Sequence, residues 1–253
     1  MTKKKEANYD FLNDAMNGDA GGFEDINSQT MSVPFIRILQ TLSPQLKASK
    51  PEYIEGATEG QLFNTVNGNL YNSPLKVVIG KFERYYIEWG KERGQYLGAH
   101  APEHVEITLQ DKLIRNEKNK LVDPTTGSLY EDTYVYYVVL PDHVDEGICI
   151  ISLSSTAIKE AKKLNRNMLH TIIPNTKQRA LPYFMIWNME LVEMSNDQGD
   201  WWSPRFTFDS FVTPDLLAGV VEEREALPNK TVDLAQLAAP IIDNDEGDGD
   251  GQY

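Results

Sequence analysis

The stretch Leu75–Trp89 runs without a proline and is dominated by β-branched and aromatic side chains. Such a run predicts one strand of unusual length, well beyond the usual 5–6 residues or so. The lone Gly80 inside it predicts a bulge, since glycine in a strand often marks an irregularity. A strand this long needs partners along its whole length, so the chain is expected to be mainly β.

Candidate partners follow in order. Leu62-Phe63-Asn64-Thr65-Val66, Asn67-Gly68 and Leu70-Tyr71 read as a hairpin closed by an Asn-Gly turn. Tyr130 to Leu140 and Ile148 to Leu153 read as strands. At Ser155 the period changes: Ile158, Ala161, Leu164 and Met168 recur at spacings of three and four, predicting a helix over 156–169 with Ser155 as its cap. Tyr183 to Met194 and Trp201 to Val212 form a last hairpin across Asn196–Asp200. About six strands, the short hairpin arm 70–71 apart, with a helix before the last two fit an OB-fold-like antiparallel Greek-key barrel; other barrels and sandwiches fit the same order.

Charge divides the chain into three. Of the formal −14, residues 1–30 carry six acids and three bases, and 215–253 carry ten acids and two bases. The middle, 31–214, holds nineteen bases against twenty-two acids, balanced enough for a basic face. The expected organisation is a flexible arm over 1–30, one folded domain over 31–214 and a disordered acidic tail over 215–253. The tail ends in Asp243, Asp245, Glu246, Asp248 and Asp250 among glycines, then Tyr253, with too little apolar surface to order it. The single Cys149 lies in an apolar run and reads as a buried, inert thiol. With no signal peptide or membrane span and no disulfide framework, a cytoplasmic setting is expected.

Three groups of residues point to nucleic acid. Lys81, Arg84, Lys91 and Arg93 interleave with Phe82, Tyr85, Tyr86, Trp89 and Tyr96. On a strand Phe82, Arg84 and Tyr86 share one face while Tyr85, Ile87 and Trp89 share the other, so one face can be core and the other a stacking platform. Lys159, Lys162, Lys163 and Arg166 line the helix side opposite its apolar stripe. Trp201, Trp202 and Arg205 form the third group, with at least one indole expected near the surface. Arg37 precedes the first strand pair. His100 and His104 are separated by Pro102, a poor frame for a metal, and no phosphate loop or catalytic elbow is present; neither a cofactor nor catalysis is expected.

Pro34-Phe35-Ile36-Arg37-Ile38-Leu39-Gln40 with Ser43-Pro44, Gly56-Ala57 through Asn64–Gly68, Tyr85–Trp89 and Ile151–Thr156 opening the basic helix together resemble tailed-bacteriophage single-stranded-DNA-binding proteins. The resemblance covers roughly residues 33–210. It implies a protein that protects and organises single-stranded DNA in phage replication or recombination, inside the infected host cell. It also implies an acidic tail that contacts replication or recombination proteins and competes with DNA. The chain departs from that pattern in ending on Tyr253 rather than phenylalanine and in the glycines between its acids. Dimerisation stays open, as do an RNA-binding or transcription-regulating role and a structural role in which the aromatics are only core.

Overall fold

The computed structural model describes residues 32–92, 94–117, 119–197, 199–227 and 232–238. The expected arm over 1–30 and the acidic stretch Asp243–Tyr253 lie outside them. The described chain is mainly β, with eleven strands, β1 to β11, and two α-helices.

Strand β4 (Leu75–Trp89) is the axis of the larger sheet. Its pairing with β8 (Leu129–Val139) shifts register between Ile79 and Lys81, which makes Gly80 the bulge expected from sequence. On its other edge, residues 75–78 pair with β10 (Met185–Asn196) and residues 86–89 with β5 (Tyr96–His100). Strand β9 (Ile148–Ser154) flanks β8, and β11 (Gly199–Phe211) flanks β10. The five long strands therefore lie in the order β9-β8-β4-β10-β11, all neighbours antiparallel. Helix α1 (Ile158–His170) connects β9 to β10. The 90–128 connection between β4 and β8 adds β5 and a short hairpin of β6 (Ile114–Arg115) and β7 (Leu121–Val122).

Both faces of this sheet are buried, which is why β8 reads as the continuous run Tyr134-Val135-Tyr136-Tyr137-Val138-Val139. Tyr134, Tyr136 and Val138 join Ile79, Ile151, Trp187 and, from α1, Ala161, Leu164 and Met168. Val135, Tyr137 and Val139 join Ile150 on the opposite face, under Val33 and Phe35 and under α2 (Pro214–Ala226). Cys149 is fully buried in the first of these clusters.

A smaller sheet of β1 (Ile36–Ile38), β2 (Leu62–Asn64) and β3 (Leu70–Tyr71) closes the gap between β9 and β11. Phe35 bridges Ile150 in parallel, and Ile150 N–H donates to the Pro34 carbonyl at 2.8 Å. At the other side Gln40 imitates a neighbouring strand: its Nε2 donates to the Trp202 carbonyl and its Oε1 accepts from the Trp202 N–H, each at 2.8 Å.

Four expectations need correction. The β2–β3 hairpin forms, but not on a two-residue Asn-Gly turn; Asn64 Oδ1 accepts from the N–H groups of Val66 and Asn67, and only Gly68 takes a positive φ (74°). Ser155 does not cap the helix: it sits at φ 47° in a 3-10 turn (Ser155–Ala157), and no side-chain cap bond is made there. The expected strand count was too low, because β1, β5, β6 and β7 are too short or too irregular to show alternation. The folded unit also runs past residue 214. Pro214 starts α2, Thr213 Oγ1 caps it by accepting from Leu216 N–H, and Val220, Leu227 and Leu237 are buried. Charge dominates that stretch of sequence and hid its few apolar contacts.

Candidate nucleic-acid interface

The far half of β4 sorts its side chains as a strand must. Ile87 is buried, and Tyr85, Trp89 and Tyr96 pack half-buried on the same cluster, with Val232 and Leu234 against it. That side is core. On the other side Phe82 lies 5.3 and 5.2 Å from the rings of Tyr134 and Tyr136, with Arg84 and Tyr86 beyond it. The face that lines the core next to α1 thus continues outward along the β4–β8 ribbon, carrying a cation and several rings.

Arg84 is the hub of this face. Its Nε and Nη2 donate to the two carboxylate oxygens of Asp132 at 2.7 and 3.1 Å, a fork that fits the planar guanidinium. Nη2 also donates to the Tyr86 hydroxyl at 2.7 Å, and Nη1 donates to Glu106 Oε1 at 2.7 Å. Tyr86 in turn donates to the same Glu106 oxygen at 2.8 Å. The bond to Asp132 pushes the Arg84 pKa up despite its partial burial. The Tyr86 hydroxyl and Arg84 hold the Glu106 carboxyl below the usual carboxylate range, while burial, with Glu106 second, raises the Tyr86 pKa to about 12. Glu106 stands on a π-helical turn, His104–Thr108, whose Val105 is buried against Tyr86 and Tyr130.

Between this floor, the β6–β7 hairpin and the start of α1 lies an open groove of about 650 Å³. The hairpin contributes Arg115 and Lys120, and α1 contributes Ile158 and Lys162. Four cations and three carboxylates, Glu106, Glu131 and Asp132, line it. Its two rings, Tyr86 and Tyr130, are each only 7% exposed in a cluster with Val105, so they do not form the stacking platform expected for this face; what the groove offers is cations and hydroxyls that can meet phosphates.

The sequence candidates do not form one surface. Arg84, Tyr86 and Lys162 meet in the groove; Lys159, Lys163 and Arg166 are exposed on the helix side opposite Ala161, Leu164 and Met168, as periodicity required. Lys81 points away, pairing with Glu83 at 2.7 Å above the Tyr137 ring. Trp89 and Tyr96 belong to the core side, where Trp89 Nε1 donates to Glu131. Lys91 is exposed at the end of β4, and Arg93 lies outside the described residues. Arg37, Trp201 and Trp202 line a separate small cavity of about 80 Å³ between β9 and β11, and Arg205 is exposed on β11. There Arg37 donates to the Gln236 carbonyl, and burial lowers its pKa. Both tryptophans are half-buried; the Trp202 ring rests on Gly60, and its Nε1 donates to Glu59.

Sequence reasoning missed Arg115, Lys120, Tyr130, Asp132 and Glu106. The signal available was Lys112, Arg115, Lys118 and Lys120 within nine residues of the 90–128 connection. Among the described residues no cluster of three or more His, Cys, Asp or Glu could hold a metal; His100 stacks on His104 and bonds Glu88. No helix among them is long and apolar enough to cross a membrane.

Residues 2–230 match the family described as Pam3 phage gp34-like proteins, and the chain belongs to that family. No curated protein and no solved structure matches it.

Proposed function

We propose that this phage protein binds single-stranded nucleic acid, DNA by preference and without catalysis, in the groove between the β6–β7 hairpin and α1. The observation that carries the reading is the convergence of Arg84 and Tyr86 from β4, Arg115 and Lys120 from the hairpin and Lys162 from α1 on one open cleft. Strand connectivity supports it. Strands β4, β8, β9, β10 and β11, with α1 between the third and fourth, follow the order of an OB-type barrel, and the groove is bounded by the connection between its first two strands, one of the loops through which such folds hold oligonucleotides.

The outer face of β8 and β9, also used by such folds, lies under Val33, Phe35 and Val220, so binding is assigned to the groove. In this reading Asp243, Asp245, Glu246, Asp248, Asp250 and Tyr253 serve contact with replication or recombination proteins and compete with DNA for the groove. The protein is titrated against equal lengths of labelled single-stranded DNA, duplex DNA and RNA over a salt series. The expected order places single-stranded DNA first, with affinity falling as salt rises because counterions are released. Equal affinity for duplex, or no binding at low salt, would sink the proposal.

A further inference from the structure

Glu106 fills a position that its own surroundings suit to a different anion. One oxygen, Oε1, collects two donors, Arg84 Nη1 and the Tyr86 hydroxyl. A phosphate oxygen is an acceptor of the same kind, and a guanidinium beside a hydroxyl is a common phosphate cradle. We propose that the place of the Glu106 carboxylate is the groove's phosphate subsite: a backbone phosphate of the bound strand displaces it from Arg84 and Tyr86. The proposal rests on the groove reading above.

Three observations make Glu106, and not Asp132, the partner that leaves. Asp132 grips Arg84 through both its oxygens from the adjacent strand, with a side chain only 26% exposed; the Glu106 side chain is 47% exposed and holds on through one oxygen. Its turn is anchored separately by Val105, which is 1% exposed, so the Glu106 side chain can swing into solvent while the turn stays docked. Arg84 keeps its fork to Asp132 when Glu106 leaves, so the cation remains aimed at the incoming phosphate. Lys162 and Arg115 stand on the same groove to receive the neighbouring phosphates, Arg115 being bonded to the neutral carbonyl of Asn119. Glu106 thus occupies the subsite as a tethered carboxylate.

The test is fluorescence anisotropy of the full chain with a labelled deoxythymidine strand of about 16 nucleotides, the upper site size of such folds. Glu106→Gln is expected to bind about two- to fivefold more tightly than wild type at low salt, as loss of one exposed ion-pair competitor allows. Tyr86→Phe in the Glu106→Gln background removes a donor from the subsite and should erase most of that gain. Glu103→Gln, an exposed acid on the same connection, controls for net charge and should give well under half the effect. An equal gain in Glu103→Gln, or no gain in Glu106→Gln while wild type binds, overturns the subsite and leaves the groove reading standing. If wild type fails to bind the strand, both fall. Thermal melting of Glu106→Gln and Glu103→Gln is expected within a few degrees of wild type, since both are exposed side chains, and the Tyr86→Phe double variant is compared with wild type by its melt before its affinity is read.

Discussion

Glu146 and Glu106 are each gripped by converging donors, and the two grips differ in origin. Glu146, in the turn before β9, accepts from Asn64, Asn67 and Asn69 side-chain amides at 2.6, 2.7 and 2.6 Å and from the Tyr71 hydroxyl at 2.8 Å. All four donors are uncharged and sit on one hairpin, so the carboxylate pins that hairpin to the turn before β9 of the larger sheet. Glu106 is held by a cation and a phenol that belong to the groove floor, and the cation has a second acid to fall back on. A carboxylate answered by several neutral donors from one hairpin is a structural clasp. One answered by a shared cation is exchangeable.

The largest effect expected from this contrast is on stability. Glu146→Ala leaves four donors without their acceptor and should cost about 2–3 kcal/mol, since hydrogen bonds to charged groups are worth more than neutral ones and these are partly exposed. That corresponds to a fall in Tm of about 4–12 °C for a chain of this size. Glu106→Ala, by comparison, should shift the melt by only a few degrees. A similar fall in both variants would erase the distinction.

Next in size is an effect on binding alone. Replacing Lys162 and Arg115 together by alanine should weaken single-stranded DNA binding by about 1–2 kcal/mol at low salt and lower the salt slope by about 0.7 per lost contact, with melting unchanged. Lys81→Ala, on the opposite face and already paired with Glu83, should alter binding little. A larger loss with Lys81→Ala would move the interface to the other side of the ribbon.

The smallest effect is a dependence on pH. Burial opposes the Glu146 charge, but the bonds from Asn69, Tyr71 and Asn67 outweigh it and hold the carboxyl below its ordinary value of 4.5. A folded pKa below the unfolded one gives stability that is present above the unfolded value and lost as pH falls through the folded value. The acid limb of a stability profile should therefore steepen below about pH 4.5 in wild type and flatten in Glu146→Gln. An identical acid limb in the two proteins would show that the clasp does not depend on the charge.

Much of the architecture was legible because it is written locally. The fifteen-residue run with Gly80 announced a long bulged strand, strict alternation separated Phe82, Arg84 and Tyr86 from Tyr85, Ile87 and Trp89, and the period of 158–168 set the basic side of α1 against the buried one. Those properties follow from periods of two and 3.6, which the chain carries wherever it is placed. The same alternation could not say which face was core, so Trp89 and Tyr96 were grouped with Arg84 although they lie behind it.

What only the tertiary structure decided is who meets whom. Register places Asp132 opposite Tyr86 and diagonal to Arg84, and the folding back of the 90–128 connection delivers Glu106 to the same guanidinium and Arg115 to the same groove. The cation that sequence offered as a bare ligand for phosphate is thereby already neutralised, and the cleft it serves is walled by residues that carry no periodic signal. Charge acts through space and over a few ångströms, so its partners are set by the register of strands and the path of loops, which no local pattern in the chain encodes.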